Sequence, residues 1–359
     1  MKKVRAFALS TLAVAIVAVP AVPLIYRSFS PNPSPKASAF IAVPVDSASG
    51  TVYADFPDNI RTAWTNAGAT SGWMNPSGSW VSPTATIVPG DVPSFRITQW
   101  TPGEISRLPS PDQGFGLDLE TSNITDADLK ELSGLKQLCE LSLRATSVTD
   151  AGLKELTGLT QLLYLNLGGT AVTDAGVEEL TGLTQLIFLN LSNTNVTDAS
   201  MSQLTGFPQL RSLGIIGTHV TDAGLKEISG LTQLQYLLLS STHVTDAGLK
   251  EISGLTQLQE LGLGDTQITD AGLKELVNMS DLRWLNLAGT HITDAGLEEL
   301  AGLPQLHTLW LFDTGITDAG LKVLAQFNQL RSVNLSGTQV TDAGVAELKQ
   351  ALPDLQIQR

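Results

Sequence analysis

The string Thr-Asp-Ala recurs with its aspartate at positions 126, 150, 174, 198, 222, 246, 270, 294, 318 and 342, and every spacing is 24 residues. A fixed period of this length describes short units that stack, because 24 residues alone cannot bury an apolar face. In the unit Leu231 to Gly254, LTQLQYLLLSSTHVTDAGLKEISG, leucines at 231, 234, 237 and 239 are followed by Thr242 and Val244. Leu237 and Leu239 alternate with period two, which predicts a short strand with its leucines inward. Leu249 and Ile252, three apart, give a short helix its buried side. Thr245 stands where a helix takes its N-cap, and Asp246 falls in the first turn, where a negative charge meets the positive end of the helix dipole. Gly254 occupies the expected left-handed C-terminal position. That column is Gly at 134, 158, 182, 206, 230 and 302, Asn at 278, and Gln at 326 and 350 in the last two units.

The pattern L-x-x-L-x-x-L-x-L-x-x-T-x-V resembles the leucine-rich repeat family, specifically the bacterial type whose unit ends in TDAGL, over residues 117–357. That resemblance implies an α/β solenoid, curved, with a parallel sheet on the concave side and short helices on the convex side. It also implies an interaction scaffold rather than an enzyme. The departure is threonine where the family usually carries asparagine or cysteine. Positions 146, 170, 194, 218, 242, 266, 290, 314 and 338 are all Thr, with Ser122 in the first unit. A hydroxyl both donates and accepts, so a buried ladder of this kind is satisfiable by neighbouring backbone.

A chain of 359 residues would ordinarily divide into two or three domains, but a stack of units lets one core keep growing. We therefore read 117–359 as a single repeat domain of ten units, closed by a stub strand at Leu355-Gln356-Ile357. Pro353, Asp354 and Arg359 discourage pairing at that edge. Residues 53–116 hold four of the six tryptophans, Trp64, Trp73, Trp80 and Trp100, and read as an N-terminal cap. Asp58 is expected to cap a helix through Ala67, and residues 94–100 to form a strand. The other reading of this stretch is an independent carbohydrate- or protein-binding module. Upstream, Lys2, Lys3 and Arg5 precede an uncharged stretch from Ala6 to Tyr26 closed by Arg27, so 1–27 is either a cleaved signal peptide or an uncleaved membrane anchor. Residues 28–52 are a Ser/Pro-rich linker. The expected location is the periplasm, cell envelope or extracellular space.

Two neighbouring units locate the functional face. His219 to Gln235 is identical over 17 residues to His243 to Gln259, yet the next stretch differs at Tyr236/Glu260, Leu238/Gly262, Ser240/Gly264 and Ser241/Asp265. These positions flank the inward leucines and are read as concave, so one face has diversified on a constant scaffold. The same face carries most of the remaining large side chains. Tyr164, Phe188, Ile216, Tyr236, Leu238, Trp284, Trp310 and Phe312 are the expected ligand contacts, as exposed anchors for a protein partner or, alternatively, a glycan.

Other chemistry is weakly supported. One carboxylate per unit supplies too few oxygens for calcium, so the aspartates read as helix caps. His219 and His243 sit in adjacent units with His291 two further, but Gln267, Gly315 and Gln339 share their column, which points to a surface position. The single cysteine, Cys139, excludes an intrachain disulfide and stands in a column held elsewhere by Leu163, Arg211, Gln235 and His307. No catalytic motif, metal set or cofactor loop is present, and the cap stretch contains no histidine. The net charge of −14 opposes nucleic acid, and it is unevenly placed, +3 over 1–110 and −17 over 111–359.

Overall fold

The computed structural model describes residues 53–75, 80–81 and 91–359. The signal or anchor segment and the linker lie outside the described residues. Within them, fourteen strands form one sheet. Strand β1 (Thr70–Met74) pairs antiparallel with β2 (Trp80–Val81) and β3 (Val92–Arg96), and from β3 through β4 (Phe115–Asp118) to Gln356–Gln358 every pairing is parallel. In the array each residue pairs with its equivalent one period away, as in Leu213↔Leu237↔Leu261↔Leu285. One constant period holds the register, because a slip by one residue would turn every leucine to the wrong side.

The strand leucines and the helix residues fill one continuous core. Leu237, Leu239, Leu249 and Ile252 are all fully buried in it. Burying each such side chain contributes roughly 1.5–3 kcal/mol before chain entropy is set against it. Helices are short, four to seven residues in all units but the last, and several finish as a turn of 3-10 helix, as at Lys274–Leu276. The threonine ladder is bonded within its own unit: Thr146, Thr170, Thr194, Thr218 and Thr242 each donate to the carbonyl three residues back at 2.6–2.7 Å.

The left-handed residues are not where the helix ends suggested. Gly254 and its column have no positive φ, and the chain leaves the helix through 3-10 contacts such as Leu255 N–H to Ile252 O, 2.9 Å. Instead, positive φ recurs just before the threonine ladder, at Thr121, Ala145, Gly169, Asn193, Gly217, Ser241, Asp265, Gly289, Asp313 and Gly337. The chain must reverse sharply there to leave the strand. Ser241 and Asp265 therefore belong to this turn, not to the sheet face to which sequence comparison assigned them.

The repeat aspartates do more than meet a helix dipole. Each of the nine from Asp126 to Asp318 reaches into the next unit, accepting from the backbone N–H of its N-cap threonine at 2.7–2.9 Å and from that threonine's hydroxyl at 2.6–2.7 Å. The threonine in turn caps its own helix, as when Thr245 Oγ1 accepts from Ala247 N–H at 3.2 Å. This arrangement explains the glycine of TDAG. A Cβ at Gly248 would lie 2.3 Å from Asp222 Oδ1, and the same holds at Gly176, Gly272, Gly296 and Gly320. Ser200 stands in this column, buried, with its hydroxyl donating to Thr197 O at 3.0 Å.

Both ends of the ladder are finished differently. The first unit has no predecessor, and there Asp128 replaces the glycine and turns back on its own N-cap, accepting from Thr125 N–H at 2.9 Å and Thr125 Oγ1 at 2.7 Å. At the other end Asp342 has no following threonine and pairs with Arg359.

The cap region joins the same core. Helix α1 (Asp58–Asn66) begins after Pro57, and Asp58 lies in its first turn instead of capping it. Trp64 stacks on Phe95 with ring centroids 4.4 Å apart, meets Phe115 edge-on at 6.0 Å, and donates to Pro109 O at 2.9 Å. Phe56 stacks on Phe95 from a second direction, at 4.2 Å. Strand β3 ends at Arg96, shorter than the stretch 94–100 expected from sequence. Beyond it, Asn123 holds the backbone of Trp100 through bonds to its N–H and carbonyl.

Candidate functional site

With the core on one side, the opposite face of each strand presents two registered columns. The first runs Gly116, Glu140, Tyr164, Phe188, Ser212, Tyr236, Glu260, Trp284, Thr308, Ser332, Gln356. The second runs Asp118, Ser142, Asn166, Asn190, Gly214, Leu238, Gly262, Asn286, Trp310, Asn334. Asn166, Asn190, Asn286 and Asn334 each accept from the backbone N–H two residues on, which fixes the strand's exit.

Six of the eight residues singled out from sequence lie on these columns, and Ile216 and Phe312 share the position two residues beyond the strands ending at Gly214 and Trp310. They form two aromatic groups. Tyr164 stacks flat on Phe188, centroids 3.9 Å apart at 13°. Trp284 meets Trp310 edge-on at 5.2 Å, and Trp310 meets Phe312 at 6.2 Å. Tyr236 and Leu238 lie between the groups. The expected exposure needs correction for half of them. Tyr164, Ile216, Tyr236 and Trp284 are buried, while Phe188, Leu238, Trp310 and Phe312 keep partial exposure. Large side chains one strand apart, about 4.8 Å, cover one another, so pattern alone overstates their accessibility.

Sequence reasoning missed Glu140 in the first column, and it placed Glu260 on this face without foreseeing its burial. Glu140 is 0% exposed, and among the described residues its carboxylate has no hydrogen-bond partner; burial, then Asp91, pushes its pKa well above its ordinary value. Glu260 is 6% exposed, and burial pushes it up to about 8. Next to them, Tyr164 is raised by burial and then by Glu140, and Tyr236 is pushed up to about 12 by burial and then by Glu260. Alignment of the columns would have revealed Glu140, since glutamate stands there where Tyr, Phe or Trp stand in other units. Asp118 and Glu120, by contrast, are matched by Arg96 and Arg144. Cys139 is buried, its thiol raised by burial and then by Glu140, and its sulfur lies 3.4 Å from Phe115 O. His219 and His243 are exposed with ring centroids 6.4 Å apart. Burial, then Arg331 and Arg283, lowers His307. Among the described residues no group of three or more potential ligands gathers to hold a metal ion, and no helix is long and apolar enough to cross a membrane.

These shifts set a pH dependence. Glu260 is raised from 4.5 to about 8 in the fold, so its contribution is full below about pH 4.5 and is lost as pH rises through 8. Asp174 has the opposite sign. Its desolvation is outweighed by hydrogen bonds from Thr197 and Ser200, which lower it, so its contribution is lost only below its ordinary 3.8. Thermal melts of Glu260→Gln are therefore expected to lose part of the wild-type decline in Tm between pH 5 and pH 8. Superimposable pH profiles for the two proteins would refute the assignment.

Parallel three-residue strands, short outer helices and one shared core define a solenoid of stacked repeats. The profile of the leucine-rich repeat family matches at residues 159–180, 255–277, 278–301 and 328–349. Among solved structures, an internalin from Listeria monocytogenes is 21% identical, with a TM-score of 0.53 over 84% of this chain and 93% of that one. A leucine-rich repeat protein of Leptospira interrogans is 20% identical, with a TM-score of 0.50 over 74% and 76%. No curated protein matches the chain in sequence. Four of its repeats thus match the leucine-rich repeat model, and its fold is that of a leucine-rich repeat solenoid.

Proposed function

We propose that this is a non-enzymatic, exported scaffold that binds a protein partner on the concave face of its sheet. The observation that carries the reading is the pair of units identical over 17 residues whose differences gather in the next strand and turn. Three of those differences, at 236/260, 238/262 and 240/264, alternate with buried leucines and so point away from the core. A constant scaffold with a varied face is the arrangement of a binding surface. Partly exposed Phe188, Leu238, Trp310 and Phe312 supply anchors of the kind that dominate protein interfaces. Export rests on the basic and apolar residues of the first 27 positions.

The test is affinity capture with the full chain, comparing wild type with Tyr236, Trp284 and Trp310 changed together to alanine. Capture of specific proteins is expected to fall at least tenfold, and retention of the same partners would exclude the concave face. A carbohydrate ligand is the second reading, favoured by the neighbouring, partly exposed Trp310 and Phe312 rings, which offer a stacking surface for a sugar. Glycan-array binding lost in Trp310→Ala, with no protein captured, would select it.

A further inference from the structure

The rim where the chain enters each strand carries a basic row in an otherwise acidic array. Arg283, His307 and Arg331 stand immediately ahead of the strands that begin at Trp284, Thr308 and Ser332, in three consecutive units. Their backbones are joined directly: His307 N–H donates to Arg283 O at 2.9 Å, and Arg331 N–H donates to His307 O at 2.7 Å. Neighbours in the row therefore lie about 4.8 Å apart, and the two arginines about 10 Å. Both arginines are exposed and His307 is half-buried. Among the described residues neither guanidinium meets a carboxylate, and their one hydrogen bond runs from Arg331 Nη1 to Asn328 O at 3.3 Å. The exposed Asp281 and Asp354, the acids nearest in sequence to the two ends of the row, pair with neither. The column continues into uncharged residues, Gln259 before the row and Leu355 after it.

Guanidinium and imidazole groups without a counter-charge attract an anion. The array as a whole carries −17 over 111–359, yet both arginines bear on the ring of His307 between them and no carboxylate offsets their effect. A carboxylate ligand is satisfied by one guanidinium in a forked pair. A sulfate or phosphate group offers more oxygens, enough for two arginines and an imidazole together.

We infer that Arg283, His307 and Arg331 form a binding site for a tetrahedral oxyanion, a sulfate or phosphate group either free or carried as an ester. The site uses no residue of the two outward columns, so it stands independently of the concave-face reading. Arg211 occupies the same column but is separated from the row by Gln235 and Gln259, which makes it an internal control. An anion held between the arginines favours the charged form of His307 and opposes the lowering that burial and the two guanidiniums cause. By linkage, the oxyanion binds more tightly as pH falls through the titration of that histidine. The other ionisable groups close to the row are Glu260 and Tyr236, pushed up to about 8 and about 12 by burial, and both are largely neutral below pH 7. The response therefore belongs to the histidine.

The experiment follows the imidazole C–H signals of all four histidines by NMR in the full chain, titrating pH from 5 to 7 while sodium chloride is replaced by sodium sulfate at constant ionic strength. Sulfate stays a dianion throughout this range. The titration midpoint of His307 is expected to move upward with sulfate, while those of His219, His243 and His291 stay in place. With Arg283 and Arg331 both changed to glutamine, the His307 midpoint should rise without sulfate and respond to it no further. Arg211→Gln should behave as wild type. Sodium acetate in place of sulfate should move His307 severalfold less. A sulfated disaccharide compared with its unsulfated form separates the sources: sulfate-dependent binding at least tenfold tighter than that of the free ion assigns an ester, and equal or weaker binding assigns the free ion. No movement at His307, a movement shared by all four histidines, or a response that survives the double arginine change overturns the site. An acetate response as large as that to sulfate overturns the tetrahedral ligand.

Discussion

Gly248→Ala is expected to destabilise the array by about 2 kcal/mol, while Gly254→Ala, six residues away, leaves stability unchanged or slightly raised. Both are helix-associated glycines of the same unit, and neither has a positive φ. They differ in what a methyl group would meet. At Gly248 it would fall 2.3 Å from Asp222 Oδ1 and 3.0 Å from Leu225 Cδ1, whereas at Gly254 nothing lies within 4 Å. Pushing Asp222 aside breaks its two bonds to Thr245 and leaves a backbone N–H without an acceptor, a loss of roughly 1–3 kcal/mol. Asp222→Ala alone should therefore cost a similar amount. In the double variant the added methyl no longer meets a carboxylate, so the two effects should not sum. Urea denaturation of the four proteins completes the cycle. Strict additivity, or equal effects at Gly248 and Gly254, would show that the aspartate ladder does not hold the units together.

Trp64→Ala is expected to be the most damaging single change in the cap, at about 3–5 kcal/mol. The ring is fully buried against Phe95 and Phe115, and its N–H is bonded to Pro109 O, so truncation leaves both a cavity and an unpaired carbonyl. Because each unit of a solenoid touches only its neighbours, the loss should stay near that end. Hydrogen exchange is expected to accelerate in β3 and β4 while the strand Tyr236–Leu238 keeps its protection. Uniform acceleration along the array would mean that the cap is not a local plug, and unchanged exchange in β3 would mean that Trp64 does not hold it.

Much of the fold was legible before any coordinates. Leu237 and Leu239 announced a strand by alternation, Leu249 and Ile252 a helix by their spacing, and Thr245 its N-cap. Each of these is a local signal repeated ten times, and repetition turns a weak preference into a reliable one. What stayed hidden depends on neighbours a full unit away. The partner of Asp222 is Thr245, 23 residues on, and the helix dipole was a sufficient local account of an acid at that position. The left-handed turn was masked because Ala145, Asn193, Ser241 and Asp313 share its column with glycines, so no single residue type marks it.

The candidate face divides the same way. Its direction followed from alternation, but the burial of Tyr164, Tyr236, Trp284, Glu140 and Glu260 did not. Sequence by itself determined the period, the elements and which side of each strand meets the core, since these follow from spacing along one unit. Only the tertiary structure decided which side chains are joined between units, which glycines are sterically required and which carboxylates are stripped of water. Those properties arise when strands come to lie about 4.8 Å apart, a distance at which a carboxylate reaches the next unit's threonine and an aromatic ring shields its neighbour.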